Sequence, residues 1–255
     1  MTHGSLFCGI GGFDLACERL GITTLWQVEQ SRSCRRILRK NFPDSIRFRE
    51  IGGVGAHCLQ PVTIVTGGFP CQPYADGGAR RGDKDPRALW PEMLRIISEL
   101  HPRWIIGENV RGLLSLESGR HFEQVCSDLE AEGYEVWPFL LPACAFGAPH
   151  RRYRIFVVGH VPHAAGGESG GDKGTGGGTA AAEGQEAEPK GLNAKPSGGE
   201  WWEIEPAVGR VADGISHRLD RLKCLGNAVV PQVAFWLLER VVEYERTGYV
   251  TLGRR

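Results

Sequence analysis

Short apolar runs alternate with amphipathic stretches between residues 1 and 160, and this alternation constrains the fold more than any other feature. The runs are Ser5–Cys8, Thr24–Val28, Val62–Thr66, Trp104–Gly107 and Arg154–Gly159. Between them lie Ser31–Asn41, Leu89–Leu100 and His121–Glu132, with apolar residues at helical spacing. Leu89, Met93, Ile96, Ile97 and Leu100 fall on one side of a 3.6-residue helix. Strands alternating with helices predict an α/β fold, a mainly parallel sheet with helices on both faces.

Two further regions follow. Residues 163–200 are dominated by Gly, Ala, Glu and Lys, with Leu192 the main apolar exception. Such a stretch cannot offset its ordering entropy by burial, so its composition predicts a flexible linker, with a turn-rich module as the alternative. Residues 201–255 return to globular composition. Pro231 opens a run, Val233 to Val242, with the pattern of a buried helix, and proline suits a first helical turn because no hydrogen bond is lost there. The expected division is 1–160 as the main domain, 161–204 as a reduced Gly-rich region, and 205–255 completing the first.

A chain of 255 residues with 41% hydrophobic content suits one large domain or a domain with a small appendage. Its net charge of zero gives no general sign of nucleic-acid binding, so that reading needs local charge. The eight cysteines form no C-x-x-C pair, and neither a metal site nor a thioredoxin-like site is expected. No cationic segment followed by an apolar run opens the chain, and no run approaches the ~20 residues of a membrane span. A cytoplasmic protein with reduced thiols is the expectation.

Four segments carry chemistry. In Leu6-Phe7-Cys8-Gly9-Ile10-Gly11-Gly12-Phe13 an apolar strand enters a glycine turn and a helix, and Glu29 stands 20 residues after Gly9. Free N–H groups and a carboxylate in that relation suit an adenosine-containing cofactor, though a tight turn with a surface glutamate gives the same pattern. Asp14 occupies the last glycine position of the dinucleotide pattern. Gly67-Gly68-Phe69-Pro70-Cys71-Gln72-Pro73 ends another strand and presents a cysteine in a shaped loop, suited to a nucleophile; a small buried hydrophobe is the alternative. The loop beyond it, Gly77 to Arg87, has four basic residues, Arg80, Arg81, Lys84 and Arg87, against two acidic ones, as a phosphate-facing lid or a solvated loop would. In Trp104-Ile105-Ile106-Gly107-Glu108-Asn109-Val110 a strand-end carboxylate faces the same sheet edge as Cys71, where burial would raise its pKa; helix capping is the alternative. Arg152 and Arg154, two apart at a strand start, should point to one face and suit carbonyl or phosphate recognition, or else a solvated strand end.

In order, Phe-x-Gly-x-Gly-Gly at 7–12, Pro-Cys-Gln at 70–72, Glu-Asn-Val at 108–110, Arg-x-Arg at 152–154 and Gly-Asn-Ala-Val-x-Pro at 226–231 resemble the DNA cytosine-C5 methyltransferase family. The resemblance covers about 1–160 and 205–255. It implies a Rossmann-like S-adenosylmethionine-dependent sheet with a very short recognition region, acting on double-stranded DNA. It also implies a monomer, with a cognate restriction endonuclease as a further partner. Phe7, Gly9, Gly11 and Gly12 resemble the cofactor loop, Glu29 the ribose ligand, Glu50-Ile51 the pair beside adenine, and Asn227 the C-terminal part of the pocket. Cys71 would attack C6 of a flipped cytosine, Glu108 hold N3 and the amine, and Arg154 bind O2 with Arg152 supporting. The Gly77–Arg87 loop would close over DNA. His150, Ala75, Ser5 and Glu50 depart from common family residues without removing a group that the chemistry requires. The short span between Arg154 and Asn227, where the family reads sequence, is the larger departure. Candidate readers there are Trp201, Trp202, Arg210, Arg218, Arg221 and Lys223.

Overall fold

A computed structural model describes residues 1–70, 89–161 and 224–249. In chain order its elements are β1 (Thr2–Leu6), α1 (Gly12–Arg19), β2 (Thr23–Val28), α2 (Arg32–Asn41), β3 (Ile46–Phe48), β4 (Ile64–Gly68), α3 (Trp90–Leu100), β5 (Trp104–Val110), α4 (Arg120–Ala131), β6 (Glu135–Pro142), β7 (Tyr153–His160) and α5 (Pro231–Thr247). The strands form one sheet in the order β3-β2-β1-β4-β5-β7-β6. β7 runs antiparallel to both of its neighbours, and the other pairings are parallel.

The apolar runs become strands because both sheet faces are covered. Along β5, Ile105 packs with Leu6, Trp26, Val65, Met93, Ile96, Ile97 and Leu129 on the face carrying α3 and α4. Its neighbour Ile106 packs with Phe13, Ala16, Phe156, Val233, Leu237 and Leu238 on the face carrying α1 and α5. Period-2 alternation on a doubly covered sheet thus yields a continuous apolar run. The helical expectations are met within a residue or two for α2, α3 and α4, and Ser31 caps α2 by accepting the N–H of Cys34 at 3.3 Å. α5 runs to Thr247, beyond the expected Val242.

Three features depart from the sequence reading. The Ser5–Cys8 run leaves the sheet after Leu6, where Phe7 takes a positive φ of 51°. β3 has only three residues, one of them Arg47, and gives no apolar run. β6 contains Pro138 and has half its residues exposed; as the edge strand it tolerates a missing ladder donor.

The winding direction reverses between β1 and β4, so the carboxyl ends of these strands flank a crevice of the kind where α/β sheets bind ligands. Register aligns Leu6 with Gly67, Gly67 with Gly107 and Gly68 with Glu108, so the loops after these strands leave the sheet side by side. The described residues belong to one unit, drawn from Met1–Val161 and from the C-terminal stretch beginning at Ala212. Among them, no helix is long and apolar enough to cross a membrane.

Candidate active site

The turn after β1 combines positive φ at Phe7, Gly9 (56°) and Gly11 (89°). The N–H of Gly9 donates to Glu29 Oε2 at 2.8 Å, and the N–H of Ser31 donates to Glu29 Oε1 at 2.7 Å. Glu29 therefore ties the glycine turn to the entry of α2. The glycines have different tasks. A Cβ at Gly9 would meet nothing within 4 Å, so the backbone there is open to a ligand. At Gly11 it would strike Phe42 at 2.5 Å, and at Gly12 the Val229 carbonyl at 2.6 Å, so these two serve close packing against α2 and the approach to α5. Glu50 is exposed and pairs with Arg49 at 2.9 Å. Ile51 opens a single 3-10 turn and packs against the core on the α3 side.

Glu108 lies at the end of β5, only 8% exposed. Arg154 Nε donates to its Oε1 at 3.0 Å. Burial raises the Glu108 pKa above the usual carboxylate value, against the opposing pull of Arg154 and then Arg152. Across the ladder stands Gly68, where a Cβ would lie 3.2 Å from Glu108 Oε2, so glycine preserves space at the carboxylate. Asn109 Nδ2 donates to the Phe69 carbonyl at 2.9 Å, while its Oδ1 accepts the Val110 N–H at 2.8 Å. Phe69 is buried against Trp90, with ring centroids 5.0 Å apart. Phe69, two residues before Cys71 in sequence, is thereby fixed.

Arg152 does not follow the strand alternation that predicted a shared face with Arg154. It precedes β7 with a φ of 27°, and its Nη2 donates to the carbonyls of Gly226 at 2.9 Å and Ala228 at 2.7 Å. It thus holds the loop on either side of the exposed Asn227. The site brings together Phe7, Gly9 and Glu29 at one end of the crevice, and Glu108 and Arg154 at the other. Cys71, Arg80, Arg81, Lys84 and Arg87 lie outside the described residues.

Two functional links were not assigned from sequence. Asn109 was visible within Glu-Asn-Val, and an amide beside a buried carboxylate is a usable signal. Nothing in the spacing indicated that Arg152 binds carbonyls more than 70 residues away.

Comparison with known proteins agrees with this geometry. The model of the C-5 cytosine-specific DNA methylase family matches residues 1–165. The type II methyltransferase M.NgoBI of Neisseria gonorrhoeae is 34% identical over 155 residues, 60% of this chain and 49% of the relative. M.FnuDI of Fusobacterium nucleatum is 33% identical over 156 residues, 61% of this chain and 45% of the relative. This chain therefore spans less than half the length of these curated relatives. A prophage-encoded Escherichia coli protein described as a DNA modification methyltransferase superposes with a TM-score of 0.55 at 27% identity, over 63% of this chain and 47% of that one. The Spodoptera frugiperda DNMT2 structure shares the fold, with a TM-score of 0.52 at 22% identity over 68% of this chain and 53% of that one. By its sheet, its strand-edge residues and the family match over 1–165, the chain belongs to the C-5 cytosine-specific DNA methylase family.

Proposed function

We propose that this chain transfers a methyl group from S-adenosylmethionine to C5 of a cytosine flipped out of double-stranded DNA, through a covalent adduct at Cys71. The observation that carries the reading is the buried Glu108–Arg154 pair, set across the sheet from Gly68 where the chain enters Pro70-Cys71-Gln72. The open backbone at Gly9 and the Glu29 carboxylate at the end of β2 fit an adenosine-bearing cofactor. Phe7, Gly9, Glu29, Glu50, Ile51 and Asn227 would hold it, with Gly11 and Gly12 shaping the turn by their close packing. When bound, it supplies an electrophilic methyl group on a sulfonium.

C5 of cytosine is a poor nucleophile while the ring is aromatic. The Cys71 thiolate adds to C6, and Glu108 stabilises the charge that develops at N3. A carboxyl whose pKa is raised by burial can keep a proton for N3, and Arg154 binds O2. C5 then takes the methyl group and loses its proton to a base, and the C6–sulfur bond breaks to return the thiolate. Unstacking the cytosine costs a few kcal/mol, and binding must offset it. Arg80, Arg81, Lys84 and Arg87 would contact DNA phosphates. In this reading 1–160 is catalytic and cofactor-binding, 161–204 is a recognition region or linker, and 205–255 completes the cofactor domain. The working form is a monomer, paired with a restriction endonuclease of the same specificity.

Cys71→Ser should abolish transfer and leave S-adenosylhomocysteine binding near wild type, because a hydroxyl is far less ionised than a thiol at neutral pH. Parallel loss of both would assign Cys71 another role. DNA containing 5-fluorocytosine should trap the enzyme, since fluorine cannot leave as a proton does. Mass spectrometry placing the adduct anywhere but Cys71 would overturn the mechanism.

The chain's span of less than half of M.FnuDI and M.NgoBI favours one second reading, a catalytically weak or partner-dependent relative that binds cofactor or DNA without efficient methylation. Labelled cofactor and mixed-sequence DNA, with and without cell extract, separate the two. Transfer by the purified chain alone supports the first reading, while transfer only with extract, or none in either with S-adenosylhomocysteine still bound, supports the second.

A further inference from the structure

The turn that follows β3 is anchored by one side chain from another part of the fold. Arg95, in the middle of α3, donates from Nη2 to the carbonyls of Ile51 and Val54, each at 3.0 Å. The guanidinium is braced on both sides. Nε and Nη2 reach Glu92 Oε2 at 3.1 and 2.8 Å, and Nη1 reaches Glu99 Oε1 at 2.7 Å. The other oxygen of Glu99 accepts the Ala56 N–H at 2.8 Å. Segment 51–56 is thus gripped at three backbone points by residues about forty positions away in sequence. A Cβ at Gly55 would collide with the Glu99 carboxylate, so the approach depends on glycine there.

The segment has few bonds of its own: a single 3-10 turn closes where the Val54 N–H donates to the Ile51 carbonyl at 3.2 Å, and Val54 is buried in the core. Its sequence is Ile-Gly-Gly-Val-Gly-Ala, and added Cβ atoms at Gly52 and Gly53 would meet nothing within 4 Å. Glycines in such a turn leave the backbone free unless outside bonds fix it. Its position gives the anchor consequences. The Glu29 N–H donates to the Phe48 carbonyl at 3.1 Å, so the end of β3 abuts the residue whose carboxylate holds Gly9. The gripped turn therefore begins beside the glycine turn, at the sheet edge where ligands bind.

We propose that Arg95, braced by Glu92 and Glu99, is a positioning residue for cofactor affinity: it fixes the turn so that Glu50 and Ile51 face the nucleoside end of S-adenosylmethionine. The proposal rests on the methyltransferase reading above. Its electrostatics agree with the geometry. Burial alone would lower the Arg95 pKa, but the bonds to Glu92 and Glu99 outweigh it and raise the value. Glu99 is held below its usual range, first by the Ala56 N–H and then by Arg95. These groups are about a third exposed, so the ion pairs add little stability of their own. Their effect lies in where they hold the backbone.

The test is calorimetric titration of S-adenosylhomocysteine into the wild type and into Arg95→Met, Arg95→Lys and Glu99→Gln, with steady-state kinetics on mixed-sequence DNA. Arg95→Met should weaken S-adenosylhomocysteine by about tenfold and raise KM for S-adenosylmethionine similarly, with kcat held within about twofold. Arg95→Lys should recover only part, since one ammonium cannot serve two carbonyls and two carboxylates together. Should Arg95→Met not fold, Glu99→Gln decides. An amide keeps an acceptor for Ala56 but loses the charge facing Arg95, and a loss of about threefold in affinity is expected. Wild-type affinity in the folded variants, or lost kcat at unchanged KM, overturns the proposal. If the wild type itself fails to bind S-adenosylhomocysteine, the methyltransferase reading falls first and this one with it.

Discussion

Glu108 and Asn109 are adjacent, yet strand alternation sends them to different work. Glu108 turns to Arg154 and the space above Gly68, while Asn109 turns to the Phe69 carbonyl. Asn109→Ala would leave the buried Phe69 carbonyl without its partner, at a cost of about 1–3 kcal/mol. Because the loosened bond lies two residues before Cys71 in sequence, the rate of adduct formation on 5-fluorocytosine DNA should fall about tenfold or more, with S-adenosylhomocysteine affinity kept. An unchanged trapping rate in a folded variant would show that the loop is positioned by other contacts. At this scale the sequence was informative on placement: the Gly9 turn meets Glu29, and Glu108 is buried at a strand end with its pKa raised. It misplaced Arg152, whose left-handed backbone breaks the alternation from which its direction was read, and was silent on Arg95, whose targets are carbonyls without any sequence signature.

At the scale of elements, β1 shows how polar residues enter a doubly covered sheet. His3 and Ser5 share a face of the strand, and both are buried. The His3 ring nitrogens bond the hydroxyls of Thr24 at 2.9 Å and Thr66 at 2.8 Å. Ser5 donates to Asp14 Oδ2 at 3.1 Å, and Gln27 donates to Oδ1 at 2.7 Å. Burial lowers His3 to about 3 and raises Asp14 to about 6. The two shifts have opposite linkage. Between about 6.5 and 3 the unfolded chain binds the proton that folded His3 refuses, so acidification destabilises. Between about 6 and 3.8 folded Asp14 carries a proton that the unfolded chain lacks, so its contribution is present at low pH and is lost as pH rises through 6. The two effects offset each other between roughly pH 6 and 4. His3→Gln should therefore leave a protein that, relative to wild type, gains stability on going from pH 6.5 to 4.5. Asp14→Asn should do the reverse, each with a limiting slope of about 1.4 kcal/mol per pH unit. Urea midpoints across that range check both signs, and parallel curves for wild type and the variants would sink the assignment. The strands themselves were legible wherever burial on both faces produced an apolar run. β3 and β6 escaped because sheet edges are only partly covered, and edge strands carry Arg47 and Pro138 without penalty.

The whole molecule closes only when α5 returns from the far end of the sequence. Val233, Leu237, Leu238 and Val241 are buried against Phe13, Ala16, Ile106 and Phe156. At about 2 kcal/mol for each of the four, their transfer from water contributes about 8 kcal/mol, comparable to the 5–15 kcal/mol that holds a typical domain. Arg152 adds its bonds to the carbonyls of Gly226 and Ala228, and Trp104 donates to Glu245 at 2.7 Å. Truncation before Cys224 should therefore unfold the chain, read as loss of a cooperative thermal transition. Deleting Gly170–Gly178 is expected to behave differently. The deleted stretch has no side chain larger than Lys173 and offers little apolar surface to bury. Loop-closure entropy changes slowly with length, so Tm and S-adenosylhomocysteine affinity should stay close to wild type. Base readout needs rigidly placed side chains in a groove, and nine residues that include six glycines supply few. The deletion should thus also leave the methylated DNA sequence unchanged when sites are mapped by methylation-sensitive sequencing. A lost or altered site, with cofactor affinity retained, would assign sequence recognition to the glycine-rich segment itself.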